Sequence, residues 1–365
     1  MHIGIIGTRG IPNHYGGFEQ FAEYLSLGLA KAGFEVSVYN SHNHPYQKST
    51  WNGVNIIHCF DPEKRMGTIG QFVYDLNCIL SCRRKSFDII LQLGYTSSSV
   101  WSKLLPTKKS IVTTNMDGLE WKRTKYSKHV QRFLLYAEEL AVRYSHHLIS
   151  DSMGIKKYLK DKYNVSSTYI PYGANIFNSP LAEILNEYGV DPFKYNLLIA
   201  RLEPENSIEI ILDGVVKSKN NKPFLVVGNH NTTYGNYLKN KFTPHSYIKF
   251  IGGVYNIDKL NNLRYYSNLY LHGHTVGGTN PSLLEAMASS ALICAHNNVF
   301  NKSILGEDAF YFLNVDQVSE YVSVLEKQVE QNLQKIEHNR KKIKQIYSWP
   351  IVINEYIQHF KLIAS

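Results

Sequence analysis

Short apolar runs alternate along the chain with longer segments in which apolar residues recur every three or four positions. Residues 3–7 form the first such run, and their length and composition predict a buried parallel strand. Residues 18–31 have the period of a helix, because their apolar residues fall on one face: Phe18, Phe21, Ala22, Leu25 and Leu29. Residues 35–40 are predicted to form the next strand. The opening of the chain therefore predicts a strand, a helix and a second strand in one βαβ unit.

The same alternation continues to the end of the chain. In the first half it predicts strands at residues 54–59, 87–93, 111–114 and 148–150, and helices at residues 70–84, 98–105, 128–144 and 152–160. In the second half it predicts strands at residues 196–200, 224–227, 248–251, 269–271 and 292–295, and a helix that begins at residue 208. Residues 315–344 are predicted to be largely helical, and residues 351–363 to form a last amphipathic helix. The pattern indicates an α/β protein with two doubly wound sheets.

The composition is typical of a folded protein without a membrane span. The chain has 365 residues and 44% hydrophobic content, which suits two domains. It contains no run of about 18 apolar residues, and no charged leader precedes an apolar segment, so we expect neither a membrane span nor a signal peptide. The cysteines lack metal-binding spacing and are expected to be reduced, as in a cytosolic protein: Cys59, Cys78, Cys82 and Cys294.

Positive charge is concentrated in the first half of the chain. Residues 1–170 contain 21 Lys and Arg against 13 Asp and Glu, and so carry +8 of the net charge of +9. A basic half suits an anionic partner such as a membrane phospholipid or a lipid-linked diphosphate. The basic residues are scattered and match no nucleic-acid-binding module, so we expect no nucleic acid partner. A basic surface that serves only solubility is the alternative.

The stretch HGHTVGGTNPSLLEAMASSALICAH, at residues 272–296, carries the clearest chemical signal. A turn containing Gly273, Gly277 and Gly278 lies between a predicted strand and a helix that begins at Pro281. The start of a helix leaves backbone N–H groups unpaired, with the positive end of the helix dipole behind them, and this suits a phosphate group. Glu285 falls one turn into the helix, where its carboxylate is placed to accept hydrogen bonds from sugar hydroxyls. An ordinary tight turn followed by a solvated glutamate is the alternative.

Three motifs together resemble a known enzyme family. GGTNPSLLEAM, RLEPEN and DGLEWKR resemble the retaining glycosyltransferases of family 4, in the subgroup of polysaccharide and capsule β-1,4-rhamnosyltransferases with a DUF1972-type N-terminal domain. The resemblance covers essentially the whole chain. The sequence departs from the family signature, in which two glutamates are separated by seven residues: Glu285 is the second, but Gly277 stands in the place of the first.

The resemblance implies a GT-B fold, in which two Rossmann-like domains face each other across a cleft. It implies an acceptor-side domain at residues 1–170 and a nucleotide-sugar-binding domain at residues 171–348. Residues 349–365 are then expected to form a C-terminal helix that crosses back to the first domain.

On the donor side, the resemblance implies that Arg201 and the backbone of residues 279–283 bind the diphosphate, and that Glu285 holds ribose or sugar hydroxyls. Position 206, where the wider family has a lysine, is Asn206, which can donate a hydrogen bond but carries no charge. The predicted donor-binding residues are Gly16, Gly17, Arg201, Asn206, His274, Gly278, Thr279, Asn280, Pro281, Ser282, Leu283 and Glu285.

On the acceptor side, two loops at the carboxyl ends of predicted strands carry the candidate residues. Asp117 is expected to orient the acceptor hydroxyl and, with Arg201 and Glu285, completes the predicted catalytic set. The predicted acceptor-binding residues are Arg9, His14, Tyr15, Glu120, Trp121, Lys122 and Arg123, which combine carboxylate, aromatic and basic groups. A solvated loop at residues 115–123 is the alternative.

The implied reaction moves a hexosyl or deoxyhexosyl group from a nucleotide-diphosphate sugar to a saccharide hydroxyl, with retained anomeric configuration. The subgroup favours dTDP-rhamnose as donor and a lipid-diphosphate-linked acceptor in surface polysaccharide synthesis. We expect no cofactor and no metal, because no Asp-x-Asp pair lies near the predicted cleft. The expected location is the cytoplasm, with peripheral contact to the anionic inner face of the membrane.

Two other functions stay open. Gly4, Gly7 and Gly10 have the spacing of a dinucleotide-binding turn, and Tyr158 and Lys162 have the spacing of the catalytic pair of short-chain dehydrogenases. However, the first predicted helix begins well after the glycines, and no acidic residue ends the second predicted strand. A non-catalytic sugar-nucleotide-binding protein is the other alternative, since the chain departs from the family at positions 206 and 277.

Overall fold

The computed structural model describes residues 1–14 and 16–365 and divides into two compact units. The first unit comprises Met1–Lys122, Tyr126–Tyr172 and Trp349–Ser365. The second comprises Arg123–Lys125 and Gly173–Ser348. The first unit thus reaches slightly beyond the expected limit at residue 170, and a short piece of one of its loops belongs to the second unit.

The first unit is built on an eight-stranded sheet. Its strands are β1 (His2–Ile6), β2 (Glu35–Ser41), β3 (Thr50–Trp51), β4 (Val54–Cys59), β5 (Ile89–Leu93), β6 (Ile111–Asn115), β7 (His147–Ser150) and β8 (Thr168–Tyr169). Their order in the sheet is β3-β4-β2-β1-β5-β6-β7-β8. All neighbours are parallel except β3, which is antiparallel to β4.

Helices connect the strands of the first unit: α1 (Gly17–Lys31), α2 (Glu63–Met66), α3 (Thr68–Cys82), α4 (Lys128–Tyr144) and α5 (Met153–Tyr163). Helix α1 buries Phe21, Ala22, Leu25 and Leu29 in the core, as its periodicity predicts. The helix expected at residues 98–105 is instead a 3-10 segment, Ser99–Leu104. Its serines compete with the backbone for hydrogen bonds, and Pro106 disfavours a helical residue before it, so a full α-helix is not formed.

The second unit contains a six-stranded parallel sheet. Its strands are β9 (Asn196–Ile199), β10 (Phe224–Val227), β11 (Ile248–Gly252), β12 (Leu269–His272), β13 (Ile293–His296) and β14 (Phe310–Phe312), in the order β11-β10-β9-β12-β13-β14. Its helices are α6 (Ile208–Lys217), α7 (Thr233–Phe242), α8 (Ile257–Tyr266), α9 (Pro281–Ala288), α10 (Val299–Leu305), α11 (Val315–Val324) and α12 (Glu330–Lys342). Both units are doubly wound, so the predicted α/β fold class is confirmed.

Residues 315–344 are largely helical, as predicted, but the chain leaves the helical path between α11 and α12. The cause is Asn268, whose amide nitrogen donates to the Leu325 carbonyl oxygen over 3.0 Å. Its amide oxygen accepts from the Lys327 backbone N–H, also over 3.0 Å. Asn268 thus replaces helical hydrogen bonds with its own. A single turn of π-helix, Ile343–Tyr347, follows α12.

The last helix, α13 (Trp349–Ala364), belongs to the first unit. Its residues Trp349, Val352, Tyr356 and Phe360 are buried in the same hydrophobic cluster as α1. The Asn115 side chain donates to the Tyr356 hydroxyl over 3.1 Å, which ties the helix to the end of β6. The first unit therefore completes its core with residues from the far end of the sequence.

Lys327 is buried in the second unit, with 3% of its surface exposed. Its ammonium group donates to the Tyr265 carbonyl oxygen and lies 5.3 Å from the centre of the Phe193 ring and 5.2 Å from that of Tyr265. Burial lowers the pKa of Lys327 to about 7. The folded protein therefore binds this proton less tightly than the unfolded chain does.

We predict that Lys327→Met flattens the pH dependence of stability. In the native protein the unfolded state binds more protons between about pH 7 and pH 10, so the free energy of unfolding should rise with pH across that range. Between pH 7 and pH 9 this group should contribute about 2 kcal/mol of that rise. Urea unfolding at both pH values measures the rise in the native protein and the variant. An exposed lysine, changed as Lys239→Met, serves as control. An identical pH dependence in native protein and Lys327→Met would contradict the assignment.

Candidate functional site

The candidate site of the second unit lies where its sheet changes direction. The chain runs outward from β9 through β10 to β11 and then returns to place β12 on the other side of β9. In doubly wound sheets, ligands bind beyond the carboxyl ends of the two strands that flank such a point. Here the flanking loops are residues 200–207, after β9, and residues 273–280, after β12. Arg201, Asn206 and His274 therefore come together in one region.

The loop after β12 leads into α9 through a cap made by Asn280. The Asn280 side chain accepts from the Ser282 backbone N–H over 2.9 Å, and its carbonyl oxygen accepts from the Leu283 N–H over 3.0 Å. These first amides of α9 are thus already engaged, and the Leu283 side chain is buried in the core.

Gly277 has a backbone conformation that explains the departure from the family signature. Its φ angle is +140°, a conformation that residues with a side chain rarely adopt. A glutamate at this position would be strained on the present backbone. The absence of a carboxylate at position 277 therefore agrees with the backbone conformation of this loop, which favours glycine.

Glu285 is held by a buried arginine that the sequence analysis did not identify. Arg264, in α8, has a side chain that is 1% exposed and donates through Nη2 to Glu285 Oε2 over 2.7 Å. The same nitrogen donates to Ser282 Oγ over 3.2 Å, and the Tyr270 hydroxyl lies 3.0 Å from that oxygen. The Glu285 side chain remains 19% exposed. The charge-assisted hydrogen bond from the buried Arg264 thus fixes the orientation of the Glu285 carboxylate.

In the loop after β9, Arg201 and Asn206 have different roles. Arg201 is exposed, whereas Asn206 is buried. The Asn206 side chain donates to the Arg201 carbonyl oxygen over 2.7 Å, so it braces the loop that presents Arg201. Asn206 was expected to contact the donor, and the structure places its amide on the protein backbone instead.

The two loops are tied to each other. Thr275 donates to the Glu205 carbonyl oxygen twice, from its backbone N–H over 3.1 Å and from its hydroxyl over 2.7 Å. Gly273 also lies against the other loop, because a Cβ atom added there would come within 2.0 Å of the Asn206 carbonyl oxygen. The Arg201 loop and the His274 loop are thus held directly against each other.

Two stacked histidines end β12 and begin the loop. The rings of His272 and His274 are 4.4 Å apart, with an interplanar angle of 16°. Burial lowers the pKa of His272 well below its ordinary value, with smaller contributions from His274 and Arg264. Burial, followed by the positive charges of Arg201 and Arg123, lowers the pKa of His274 to about 3. Both imidazoles are therefore neutral near pH 7, and a neutral His274 can accept as well as donate.

Arg123 lies in the second unit, although the rest of its motif lies in the first. Its Nη1 atom is 3.6 Å from Glu205 Oε1, and Lys125 Nζ is 3.7 Å from Glu203 Oε1. Arg123 was expected on the acceptor side, and the structure places it beside the loop that carries Arg201.

The remaining predicted residues of the DGLEWKR motif lie after β6 in the first unit. Asp117 has a φ angle of +43°, and its backbone N–H donates to the Asn115 side chain over 3.0 Å. Glu120, Trp121 and Lys122 form a short 3-10 turn. The Trp121 ring has the ammonium groups of Lys122 and Lys162 each 5.4 Å from its centre, so it is packed by cations from its own domain.

The predicted loop after β1 is fixed by side chains from neighbouring elements. Arg9 forms an ion pair with Glu63 over 2.9 Å, and its guanidinium lies 5.0 Å from the centre of the Tyr74 ring. His14 is exposed, with its ring 6.4 Å from that of His44. Gly16 caps α1 and Gly17 is its first residue. Tyr15, a predicted acceptor contact, lies outside the described residues.

Tyr158 and Lys162 do contact each other, but their surroundings oppose a dehydrogenase role. Both donate to the buried carboxylate of Glu138, over 2.6 Å and 3.0 Å. Burial, together with Glu138, raises the pKa of Tyr158. A catalytic tyrosine of a dehydrogenase needs a lowered pKa instead. In addition, Gly4 lies within β1 and α1 begins only at Gly17.

The described residues were compared with the arrangements that a metal site or a membrane-spanning helix requires. Among residues 1–14 and 16–365, no group of three or more His, Cys, Asp or Glu side chains is arranged to hold a metal ion. Within the same residues, no helix combines the length and apolarity needed to cross a membrane. The four cysteines are buried and unpaired by disulfides.

Comparison with known proteins supports the fold. Residues 1–175 match the model of a domain of unknown function, DUF1972. Comparison with curated proteins gives no match. Among solved structures, the chain is similar to a sucrose-phosphate synthase from Thermosynechococcus elongatus, with 15% identity, a TM-score of 0.80, and coverage of 99% of this chain and 98% of that one.

Two further structures are similar over the same extent. A glycosyltransferase from Rickettsia africae ESF-5 has 13% identity and a TM-score of 0.72, with coverage of 99% of this chain and 98% of that one. HepE from Anabaena, in complex with UDP and glucose, has 13% identity and a TM-score of 0.76, with coverage of 99% of each chain. At these identities the likeness shows the fold, and the predicted GT-B fold of two Rossmann-like domains is confirmed.

Proposed function

We propose that this chain is a glycosyltransferase that moves a hexosyl or deoxyhexosyl group from a nucleotide-diphosphate sugar to a saccharide hydroxyl. The observation that carries the proposal is the pair of joined loops at the carboxyl ends of β9 and β12. There Arg201 and Arg123 lie beside the glycine-containing loop that precedes α9, and that loop carries the neutral His274. HepE, which shares this fold, has been solved in complex with UDP-glucose, and this supports a sugar nucleotide as ligand.

The chemistry that we propose retains the anomeric configuration and needs no covalent nucleophile. The bond between C1 of the sugar and the diphosphate oxygen breaks, and the acceptor oxygen bonds to C1 on the same face. The acceptor proton passes to the leaving diphosphate, and Arg201 stabilises the negative charge that develops there. Glu285, oriented by Arg264, holds ribose or sugar hydroxyls, and Asp117 orients the acceptor.

We propose dTDP-rhamnose as the first donor to examine and UDP-glucose as the second. The motifs of the rhamnosyltransferase subgroup favour the first, and the ligands named for HepE favour the second. The glycine conformation at position 277 supports a donor site that differs from that of relatives with a glutamate there.

We further propose a lipid-diphosphate-linked saccharide as acceptor, reached at the anionic inner face of a membrane in surface polysaccharide synthesis. Three apolar side chains of the first unit support this, because Phe60, Met66 and Ile69 are 58%, 49% and 65% exposed. Lys64 and Arg65 lie in the same segment of sequence and add positive charge. Exposed apolar residues flanked by cations suit a phospholipid surface.

A thermal-shift screen of dTDP-, UDP- and GDP-sugars tests the function. A ligand that binds only the folded state raises the melting temperature, and at one hundred times Kd the gain is about 2.7 kcal/mol. We expect one sugar nucleotide to raise the midpoint and NADPH to leave it unchanged. A rise with NADPH alone would overturn the proposal in favour of an oxidoreductase.

A donor-hydrolysis assay then separates the enzyme from a non-catalytic binding protein. Glycosyltransferases release the sugar slowly to water when no acceptor is present, so we expect free sugar and nucleoside diphosphate to accumulate with the donor found in the screen. Binding without any release, with or without saccharide acceptors, would favour the binding protein.

A further inference from the structure

The loop after β9 provides less positive charge at position 206 than the family pattern would. Asn206 is 4% exposed, and its amide is used to hold the Arg201 carbonyl oxygen. This side chain therefore braces the loop and adds no charge to it. Of the two cationic positions in the family pattern of this loop, only Arg201 carries a charge in this chain.

Arg123 reaches the same loop from a distant part of the sequence. Its guanidinium is 14% exposed and forms an ion pair with Glu205, the residue directly before Asn206. The nearby ion pair between Lys125 and Glu203 holds the other end of the same short segment. Two ion pairs thus fix Arg123 beside the position where the lysine is absent.

Glu205 is suited to orient that guanidinium. Its side chain is 2% exposed, and among the described residues neither carboxylate oxygen has a hydrogen-bond partner. Burying a charged carboxylate costs free energy unless an opposite charge lies nearby, and the Arg123 guanidinium supplies that charge for Glu205. A guanidinium has several N–H donors in a planar fork, and it can therefore bind a carboxylate and a phosphate at the same time.

Two arginines bring positive charge to the joined loops, Arg201 from the loop after β9 and Arg123 through its ion pair with Glu205. After burial, the positive charges of Arg201 and Arg123 both lower the pKa of His274, which agrees with the position of both arginines near these loops. Glu205 is paired with Arg123, and Glu203 with Lys125. Like charges that are held together favour an anion between them. The ion pair with Glu205 and the electrostatic effect on His274 both place Arg123 beside the loop that carries Arg201.

We propose, as an extension of the function proposed above, that Arg123 is a second cationic contact for the diphosphate of the sugar nucleotide and that Glu205 positions it. Arg123 then supplies the charge that position 206 lacks. This role differs from the contact to the acceptor that the sequence motif implied for Arg123.

The binding of diphosphates and nucleosides by Arg123→Ala tests the proposal. Calorimetric titration with UDP, dTDP and GDP is compared with titration by uridine, thymidine and guanosine. Since a hydrogen bond to a charged group contributes strongly, Arg123→Ala should weaken binding of the preferred diphosphate roughly 10- to 100-fold. Binding of the matching nucleoside should not change. Arg132→Ala, an exposed arginine of α4, is the matched control and should bind both as the native protein does.

Glu205→Gln gives a second test, because two explanations of Glu205 predict opposite changes in diphosphate affinity. If Glu205 were only a negative charge beside the site, its removal would strengthen diphosphate binding. If it positions Arg123, its removal should weaken that binding about three- to tenfold, and should add nothing in the double variant with Arg123→Ala. This test also decides the matter if Arg123→Ala fails to fold.

The outcomes separate this inference from the proposed function. Tight diphosphate binding by Arg123→Ala, or tighter binding by Glu205→Gln, overturns the inference and leaves the glycosyltransferase proposal standing. An equal loss of nucleoside and diphosphate binding, accompanied by a lower melting temperature, also overturns it, because it indicates a purely structural ion pair. If the native protein binds none of the three diphosphates, the proposed function fails first.

Discussion

Arg201→Ala should lower the rate of sugar transfer by about two to three orders of magnitude, the usual effect of removing a group that stabilises charge in the transition state. Arg201 is exposed at the carboxyl end of β9, and its backbone carbonyl oxygen accepts from the Asn206 side chain and from the Glu203 N–H. The side chain therefore contributes to the ligand site more than to the fold. Initial rates with the donor found in the screen measure the loss, and the melting temperature should stay close to that of the native protein.

Two further variants sharpen this result. Arg201→Lys keeps the charge but loses the planar fork, so its rate should fall between those of the native protein and the alanine variant. Lys239→Ala, in α7, removes an exposed cation elsewhere in the same unit and should leave the rate unchanged. Full turnover by Arg201→Ala would show that the diphosphate is stabilised by other groups.

Gly273→Ala should both destabilise the protein and weaken donor binding. The added methyl group would lie 2.0 Å from the Asn206 carbonyl oxygen and 2.9 Å from its carbon, and backbone atoms cannot rotate away. Overpacking of this kind costs about 1–3 kcal/mol. The two loops must separate to relieve the contact, and this should disturb the hydrogen bonds between Thr275 and Glu205. Urea unfolding measures the stability, and calorimetric titration with the preferred donor measures the affinity.

Gly253→Ala is the matched control for that substitution. Its added methyl group would meet only the ring of Tyr255 among its nearest atoms, and that side chain is 84% exposed and can turn toward solvent. We expect this control to unfold at nearly the native urea concentration. Should Gly273→Ala behave in the same way, the tight approach of the two loops would not matter for the domain.

The sequence predicted elements whose cause is local. Helix α9 begins at Pro281, as expected, because a capping asparagine, a proline and a run of helix formers all lie within a few residues. The interruption of residues 315–344 could not be predicted in this way. It depends on Asn268, which is far away in sequence and meets Leu325 only after the sheet has formed.

The same distinction applies to the candidate site. Arg201, His274 and Glu285 were identifiable because each lies in a motif at the end of a strand or the start of a helix. Arg264 and Glu205 were missed, since a single arginine in a helix and a glutamate in a loop have no local feature that distinguishes them. The rule that ligands bind where a doubly wound sheet changes direction would have pointed to Glu205, once the strand order was known. Arg123 was predicted to bind the acceptor because it ends the DGLEWKR motif, whose carboxylate, aromatic and basic residues suit a sugar attached to a phosphate.

The position of α13 has a consequence for the synthesis of this protein on the ribosome. Its buried face, which includes Tyr356 and Phe360, fills part of the first unit's core, so that core stays open while the preceding residues are being translated. The domain that emerges first is therefore the last to become fully packed. The later domain, residues 173–348, can close beforehand, which makes it the natural candidate for the earliest cooperative step.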